Sequence, residues 1–148
     1  MRTCRVGNID DLDAIYRLNK RLFAEGWSKQ SLAGVMLAGY DLYVFEISQQ
    51  LAGYILSQDI LDEVHIMQVA VSPDYQRQGI GRQLSEKLLS DKQHQQLVLL
   101  EVRASNSAAQ ALYNQLQFTK IGRRKGYYVP QEPGGEREDA IVMQRILS

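Results

Sequence analysis

The sequence predicts a mixed α/β fold, and two features carry that prediction. The first is a pair of short apolar segments, Asp41–Ile47 and Leu51–Ser57, whose polar connection at Ser48-Gln49-Gln50 favours an antiparallel hairpin. The second is a strand, a helix and a second strand between Val64 and Val102. Such a βαβ unit implies parallel pairing and a right-handed crossover. Because the chain contains no repeat, linker or low-complexity tract, we expect residues 1–148 to form one mixed α/β domain.

The N-terminal part alternates a strand with helices before the hairpin. Thr3–Val6 is predicted to be a short strand, and Asn8 or Asp10 could cap the helix that follows. The apolar residues of this helix recur at helical spacing, at Leu12, Ile15, Leu18 and Leu22. Ser28 is the predicted cap of a second helix, whose inward-facing residues should be Leu32, Val35 and Met36.

The C-terminal part contains the parallel unit and two final strands. Val64–Val71 is apolar at nearly every position, as expected for a strand covered on both faces. The helix that begins at about Ile80 has its apolar residues four apart, and Gln95–Val102 is the next strand. A helix is predicted at about Ser107–Gln115, with the inward positions Ala108, Ala111, Leu112 and Leu116. The last strands are expected at Phe118–Tyr128 and Asp139–Ile146.

Composition narrows the classes of protein to consider. Hydrophobic residues make up 45% of the chain, and 17 basic residues balance 17 acidic ones. A net charge of zero argues against broad non-specific binding to nucleic acid. No apolar run approaches the roughly 20 residues that span a bilayer, and no signal-peptide core precedes the first strand. The single cysteine, Cys4, favours a reducing cytoplasm, and packing explains it better than nucleophilic catalysis does.

The segment Val69–Arg82 (VAVSPDYQRQGIGR) runs from the end of the first parallel strand into the next helix, and it is the most informative part of the chain. Its glycines flank the start of a helix, where unpaired N–H groups and the helix dipole favour an anion. Arg77 and Arg82 add positive charge. The spacing matches neither a Walker A loop nor a dinucleotide fingerprint. The residues alone leave two explanations, a pyrophosphate site or close packing of the helix on a strand.

Three residues could carry chemistry beside this turn. Ligands of open α/β sheets bind beyond the carboxyl ends of parallel strands, where Glu101 lies. Its apolar strand should make it a base suited to neutral pH, unless it pairs with Arg103 or another cation. Tyr113 could point its hydroxyl into the same cleft or pack as a half-buried aromatic. Asn106 could cap the helix or contact a ligand.

These residues resemble a known family. Gln-x-x-Gly-x-Gly at Gln76–Gly81, after a strand ending in Val69-Ala70-Val71, is similar to the acetyl-CoA-binding motif of the GNAT N-acetyltransferases. Leu100–Tyr113 (LEVRASNSAAQALY), Arg137–Ile141 and Trp27-Ser28 resemble its RimI branch, the bacterial ribosomal-protein-alanine N-acetyltransferases. The resemblance implies the GNAT fold, a mixed and mostly antiparallel sheet with a central parallel strand pair, flanked by helices.

The resemblance also implies an activity. Acetyl-CoA would be the co-substrate, with no metal, and a cytoplasmic ribosomal protein of the small subunit would offer its N-terminal alanine as acceptor. His65 and His94 are the only histidines, and no Cys/His/Asp cluster has metal-ligand spacing. The alternatives are a GNAT enzyme that acetylates lysine or a small amine, and a non-catalytic acyl-CoA-binding module.

Roles follow position by position from the resemblance. The pantetheine arm would pair with the backbone of Val69, Ala70 and Val71. The pyrophosphate would bind the backbone amides of Arg77, Gln78, Gly79, Ile80, Gly81 and Arg82. Asn106 would contact the CoA arm near its sulfur. Glu101 would be the general base, through water, and Tyr113 the general acid that protonates the departing thiolate in a direct transfer.

Two departures from the family pattern concern the acceptor side. Gly26 stands before Trp27 where the family would have proline, and the segment 129–136 (VPQEPGGE) is longer than usual. Both put substrate choice in question more than catalysis. The run Arg123–Lys125 either reaches an acceptor or forms a solvated face, and Tyr127-Tyr128 either wall an acceptor slot or pack on the sheet.

Overall fold

The computed structural model describes residues 1–23 and 26–147, whose strands and helices alternate along the chain. The strands are β1 (Arg2–Val6), β2 (Asp41–Ile47), β3 (Gln50–Ile60), β4 (Glu63–Val71), β5 (Leu97–Arg103), β6 (Thr119–Tyr128) and β7 (Glu138–Ile146). The helices are α1 (Leu12–Leu22), α2 (Lys29–Leu37), α3 (Ile80–Asp91) and α4 (Ser107–Gln115). Each element that the sequence predicts is present, with ends that differ by a few residues. None of the described helices is long and apolar enough to cross a membrane.

The strands form one seven-stranded sheet in the order β1-β2-β3-β4-β5-β7-β6. All neighbouring strands run antiparallel except β4 and β5, which are parallel, as the βαβ unit predicts. Helices α3 and α4 pack on one face, around a core that includes Leu84, Leu88 and Leu116. Helices α1 and α2 cover the other face, around Ile15, Leu18 and Leu32. These features match the mixed, mostly antiparallel sheet with a central parallel strand pair and flanking helices that the resemblance implies.

Side-chain caps set the starts of three helical segments. The Asn8 side chain accepts a hydrogen bond from the Asp10 amide and opens a short 3-10 turn that leads into α1. Ser28 accepts from the Ser31 amide at the start of α2, as predicted. Asn106 likewise accepts from the amide of Ala109 at 3.0 Å and caps α4. Of the two residues considered as caps, Asn8 is therefore the one whose side chain caps, but it caps the 3-10 turn before α1, and the N-cap residue of α1 itself, Asp11, makes no side-chain cap hydrogen bond.

Strands β4 and β5 pair only at their first residues and then separate. The paired register runs from Glu63 opposite Leu97 to His65 opposite Leu99, and no further pairing between described residues joins the two strands. The register between β3 and β4 skips Met67, so Met67 is an extra residue that bulges from β4. A β-bulge bends its strand and increases the local twist. The bulge therefore accounts for the opening of the sheet where the predicted ligand site begins.

The buried face of α4 differs from the prediction. Ala108 and Ala111 are exposed, whereas Tyr113 and Leu116 are buried, and Leu112 is half-buried. The inward face is therefore rotated toward Tyr113, one residue or about 100° from the predicted centre. The physical reason is size, because burying an aromatic ring removes far more apolar surface from water than burying the methyl groups of two alanines.

Gly53 on β3 lies close to both the neighbouring strand and α3. A Cβ at this position would lie 2.7 Å from the Ala70 carbonyl oxygen and 3.1 Å from Ile80 Cγ2. Because the nearest atom is backbone, we expect Gly53→Ala to lower the free energy of unfolding by roughly 1–3 kcal/mol. Guanidinium denaturation measures this change. Gly122→Ala is the matched control on β6, where a Cβ meets no atom within 4 Å, and equal losses in both variants would contradict the packing argument.

Candidate active site

A cleft of about 630 Å³ opens where β4 and β5 separate. Its walls are the strand segments 66–69 and 100–103, the end of α1, and the side chains of Trp27, Asn106, Tyr113, Tyr127 and Tyr128. The cleft thus contains three of the predicted site residues, Glu101, Asn106 and Tyr113, and also Val69. Ala70 and Val71 continue β4 beyond it, and the glycine turn follows them. The described residues contain no group of three His, Cys, Asp or Glu side chains placed to hold a metal ion.

The alternation of β5 sends Glu101 and Tyr113 to opposite faces of the sheet. Val98, Leu100 and Val102 belong to the core under α3 and α4. Successive side chains of a strand point to opposite faces, so Glu101 projects toward the side of α1 and α2. Tyr113 packs in the core under α3 and α4. The cleft therefore has a carboxylate on one side of the sheet and a phenol on the other.

Only one of the two carboxylate oxygens of Glu101 has a charged partner. Its side chain is 25% exposed, and Oε1 lies 3.5 Å from Nη2 of Arg124. Its Oε2 is buried without a hydrogen-bond partner among the described residues. Arg103, a predicted alternative partner, instead contacts Glu138 Oε1 at 3.2 Å. Pairing with another cation is therefore observed, but it involves one carboxylate oxygen and leaves the other without a described hydrogen-bond partner.

Tyr127 and Tyr128 form a wall of the cleft beside Glu101. Their rings meet edge to face with centroids 5.0 Å apart. The Arg124 guanidinium lies 5.3 Å from the Tyr127 centroid, and that of Arg103 lies 4.6 Å from the Tyr128 centroid. Burial raises the pKa of Tyr127, and the negative charge of Glu101 raises that pKa further. Of the two interpretations of this pair, the structure supports the wall of a slot.

An irregularity in β6 places this aromatic wall. The register between β6 and β7 shifts between Arg124 and Tyr128, and Gly126 has a positive φ of 59°. The Gly126 amide donates to Asp139 Oδ1 at 2.8 Å, while Arg123 Nε donates to Asp139 Oδ2 at 2.6 Å. The predicted basic run is thus divided, because Arg123 is bound to Asp139 and Arg124 faces Glu101.

Tyr113 is buried more deeply than the sequence suggested. It is 3% exposed and packs edge to face on Phe118, with centroids 5.3 Å apart. Burial raises the pKa of its hydroxyl to about 12. The hydroxyl therefore carries its proton at neutral pH, on a residue that also lines the cleft.

The glycine turn has the features of an anion site at the start of α3. Gly79 caps the helix with a φ of 75°, a conformation that favours glycine, and the first helical bond runs from the Gln83 amide to the Gly79 carbonyl. The amides of Ile80, Gly81 and Arg82 therefore have no acceptor within the helix. Close packing does not explain Gly81, since a Cβ there would lie 3.6 Å from the nearest side chain, an ordinary contact.

A buried polar network behind the cleft was missed by the sequence analysis. Asn19 of α1 is fully buried, and its Nδ2 donates to Tyr54 Oη at 3.0 Å and to Gln68 Oε1 at 2.8 Å. The Tyr54 hydroxyl also donates to Gln68 Oε1, at 2.5 Å. The sequence did contain a signal for a buried polar side chain. Asn19 stands four residues after Ile15 and therefore on the apolar face of α1.

The same network explains one departure from the family pattern. The Trp27 backbone amide donates to Asn19 Oδ1 at 2.8 Å. A Cβ at position 26 would lie 2.5 Å from that oxygen, so Gly26 allows the chain to pass close to Asn19. The other departure, segment 129–136, contributes Val129 and Gln131 to the cleft.

Comparisons with known proteins agree with this geometry. The family described as "Acetyltransferase (GNAT) domain" matches residues 11–126. The [ribosomal protein bS18]-alanine N-acetyltransferase of Escherichia coli (strain K12) is 41% identical over 140 residues, which cover 93% of each chain. The crystal structure of the Escherichia coli ribosomal-protein-S18-alanine N-acetyltransferase has a TM-score of 0.92 at 37% identity, over 100% of this chain and 95% of that one.

A more distant structure shares the fold alone. Arabidopsis thaliana NAA60 in complex with acetyl-CoA superposes with a TM-score of 0.87 at 17% identity, over 99% of each chain. The sheet, the cleft at its parallel pair, the glycine turn and these matches lead to one conclusion. The chain belongs to the GNAT acetyltransferase family.

Proposed function

We propose that the protein transfers an acetyl group from acetyl-CoA to the α-amine of an alanine-starting ribosomal protein of the small subunit, in the cytoplasm. The observation that carries this proposal is the cleft through the sheet, with Glu101 on one side and Tyr113 on the other. The Escherichia coli relative that is 41% identical is a [ribosomal protein bS18]-alanine N-acetyltransferase, which supports the same acceptor. Residues 1–148 would form one catalytic domain.

Acetyl-CoA would enter from the side of α3 and α4. Among the residues that the structure describes, no strand pairs with the β5-facing edge of β4 after His65, so the pantetheine arm could pair with the backbone of Val69–Val71 as an added strand would. The amides from Arg77 to Arg82 would hold the pyrophosphate at the start of α3. Asn106 caps α4 through its Oδ1, and its amide group at the cleft would contact the arm near the thioester.

The acceptor would approach from the side of α1, α2 and the tyrosine wall. Glu101 would take a proton from the ammonium, through water, so that the amine nitrogen can attack the thioester carbonyl. The new C–N bond forms as the C–S bond breaks, Tyr113 would give its proton to the departing thiolate, and the nitrogen would release its second proton to water to leave the neutral amide. In this arrangement the Glu101 carboxylate would be on the acceptor side of the sheet, and the Tyr113 phenol would be on the acetyl-CoA side.

Gly81 gives a test of the cofactor site that is separate from stability. Alanine at this position fits among the protein atoms and favours helix, but its methyl group would crowd a pyrophosphate on the backbone amides. We expect Gly81→Ala to weaken acetyl-CoA binding about tenfold, or about 1.4 kcal/mol, with an unchanged or higher melting temperature. Calorimetric titration with acetyl-CoA measures this. Gly34→Ala on α2, where a Cβ meets nothing within 4 Å, is the control. Equal affinities in both variants would place the pyrophosphate elsewhere.

The product identifies the acceptor group. The protein is incubated with acetyl-CoA and an alanine-starting peptide that also contains lysine, and the product is fragmented by mass spectrometry. The proposal expects acetylation on the N-terminal fragment. Acetylation on lysine alone would overturn the α-amine assignment and support the alternative GNAT activity. Tight acetyl-CoA binding without transfer to any peptide would support a non-catalytic acyl-CoA-binding module.

A further inference from the structure

The orientation of the Gln68 side chain is set by the buried network. Its Oε1 accepts two hydrogen bonds, from Asn19 Nδ2 and from the Tyr54 hydroxyl. Asn19 is itself oriented, because its Oδ1 accepts from the Trp27 amide and only its Nδ2 can donate. Burial raises the pKa of Tyr54 to about 12, so its hydroxyl remains a donor at neutral pH. The oxygen of Gln68 is therefore committed to the protein interior.

The nitrogen of the same carboxamide is left for the cleft. Gln68 lines the cleft, and its Nε2 has no hydrogen-bond partner among residues 1–23 and 26–147. Glutamine carries two donor hydrogens on this atom, and each needs an acceptor when water is displaced. An unpartnered donor held in place by two buried groups is what a binding site for a carbonyl oxygen requires.

Gln68 lies on the acceptor side of the sheet and lines the same cleft as Glu101. Its partners Asn19 and Tyr54 belong to the side of α1 and α2, toward which Glu101 also projects. Gln68 follows on β4 after the last paired residue, His65, and Glu101 follows on β5 after its partner Leu99, so both side chains line the cleft that opens between the two strands. The two side chains therefore flank the point at which an acceptor amine would enter.

We propose that the Gln68 Nε2 donates a hydrogen bond to the carbonyl oxygen of the acceptor's first residue, and that Asn19 and Tyr54 are positioning residues for it. This inference rests on the proposed transfer to a peptide α-amine. In a peptide, the first carbonyl is separated from the α-nitrogen by one carbon, so one residue can offer its amine to Glu101 and its oxygen to Gln68. A lysine side chain has no carbonyl near its ε-amine. Gln68 thus favours α-amines over ε-amines.

The test changes the Gln68 side chain on the protein and the carbonyl oxygen on the peptide. Wild type and Gln68→Met are assayed with an alanine-starting peptide and with the same peptide carrying a thioamide at its first peptide bond. Sulfur is a poor acceptor, so wild type should prefer the oxygen peptide about tenfold in kcat/KM, the worth of one hydrogen bond. Gln68→Met should lose this preference through a higher KM for the oxygen peptide, while its affinity for acetyl-CoA is unchanged.

Three further variants separate this role from a structural one. Gln68→Glu keeps an oxygen for Asn19 and Tyr54 but replaces the donor, so it should also abolish the preference. Tyr54→Phe should reduce it in part. Gln58→Met makes the same substitution on β3 outside the cleft and should leave it at the wild-type value.

The outcomes distinguish this inference from the function on which it rests. A preference that is equal in wild type, Gln68→Met and Gln68→Glu overturns the inference and leaves the proposed function standing. Failure of wild type to acetylate either peptide overturns the proposed function, and this inference with it.

Discussion

Glu101→Gln should lower kcat for the alanine-starting peptide by roughly 10²–10⁴-fold, the usual contribution of a positioned general base. Glutamine has nearly the same shape as glutamate but cannot accept the ammonium proton. The affinity for acetyl-CoA should be unchanged, because Glu101 projects to the acceptor side of the sheet. Steady-state kinetics and calorimetric titration of acetyl-CoA measure the two quantities on the same protein.

Glu46→Gln is the matched control for this variant. Both glutamates lie on strands, both side chains are 25% exposed, and both face an arginine. Glu46 binds Arg5 closely, at 2.6 Å, whereas Glu101 lies 3.5 Å from an exposed arginine and has a buried oxygen without a described partner. Glu46→Gln should therefore lower the melting temperature and keep activity. Glu101→Gln should lose activity and keep the melting temperature. Wild-type turnover in Glu101→Gln would contradict the role of Glu101 as the general base.

Tyr113→Phe should also lower kcat, by roughly 10²–10⁴-fold, since it removes the proposed proton donor for the CoA thiolate. The phenylalanine ring keeps the edge-to-face packing on Phe118, so the fold and the acetyl-CoA affinity should be retained. Because the pKa of Tyr113 is about 12, the wild-type hydroxyl is protonated throughout a neutral assay. The loss in kcat is measured at saturating concentrations of both substrates.

Tyr43→Phe is the control that removes another buried hydroxyl. Tyr43 is 5% exposed and donates to Asp91 at 2.7 Å, outside the cleft. This variant should lose some stability and keep its turnover. If Tyr113→Phe turned over within about twofold of Tyr43→Phe, water or another group would have to protonate the thiolate.

Local patterns were sufficient to predict the order of the elements. The polar connection at Ser48-Gln49-Gln50 predicted the β2–β3 hairpin, in which Ser48 and Gln49 take positive φ values of 51° and 68°. The βαβ pattern predicted the one parallel pair of the sheet. These predictions succeeded because hairpins and crossovers depend on residues close together in the chain.

Features that depend on distant partners were not predictable in the same way. The bulge at Met67 is a property of the pairing between β3 and β4, and neither strand alone contains a signal for it. The network of Asn19, Tyr54 and Gln68 joins three elements that are far apart in sequence. The inward face of α4 was misplaced because spacing alone gives Ala111 the same weight as Tyr113.

The parts of the site that lie at a strand end or in a turn could be predicted from the sequence. Glu101 was identified from its place near the end of one parallel strand and the glycine turn from its place after the other, and the structure brings Glu101 together with Asn106 and Tyr113 in the cleft. The division of Arg123 and Arg124 between Asp139 and Glu101 could not be predicted, because it depends on the irregular pairing of β6 with β7.

Incubation with labelled acetyl-CoA and purified ribosomal proteins of the small subunit tests the central claim most directly. The protein is added to the unacetylated set, and the labelled product is identified and sequenced from its N-terminus. The account predicts label on one protein that begins with alanine, at its α-amine, and almost none with Glu101→Gln. Label distributed over lysine side chains, or label that persists with Glu101→Gln, would contradict it.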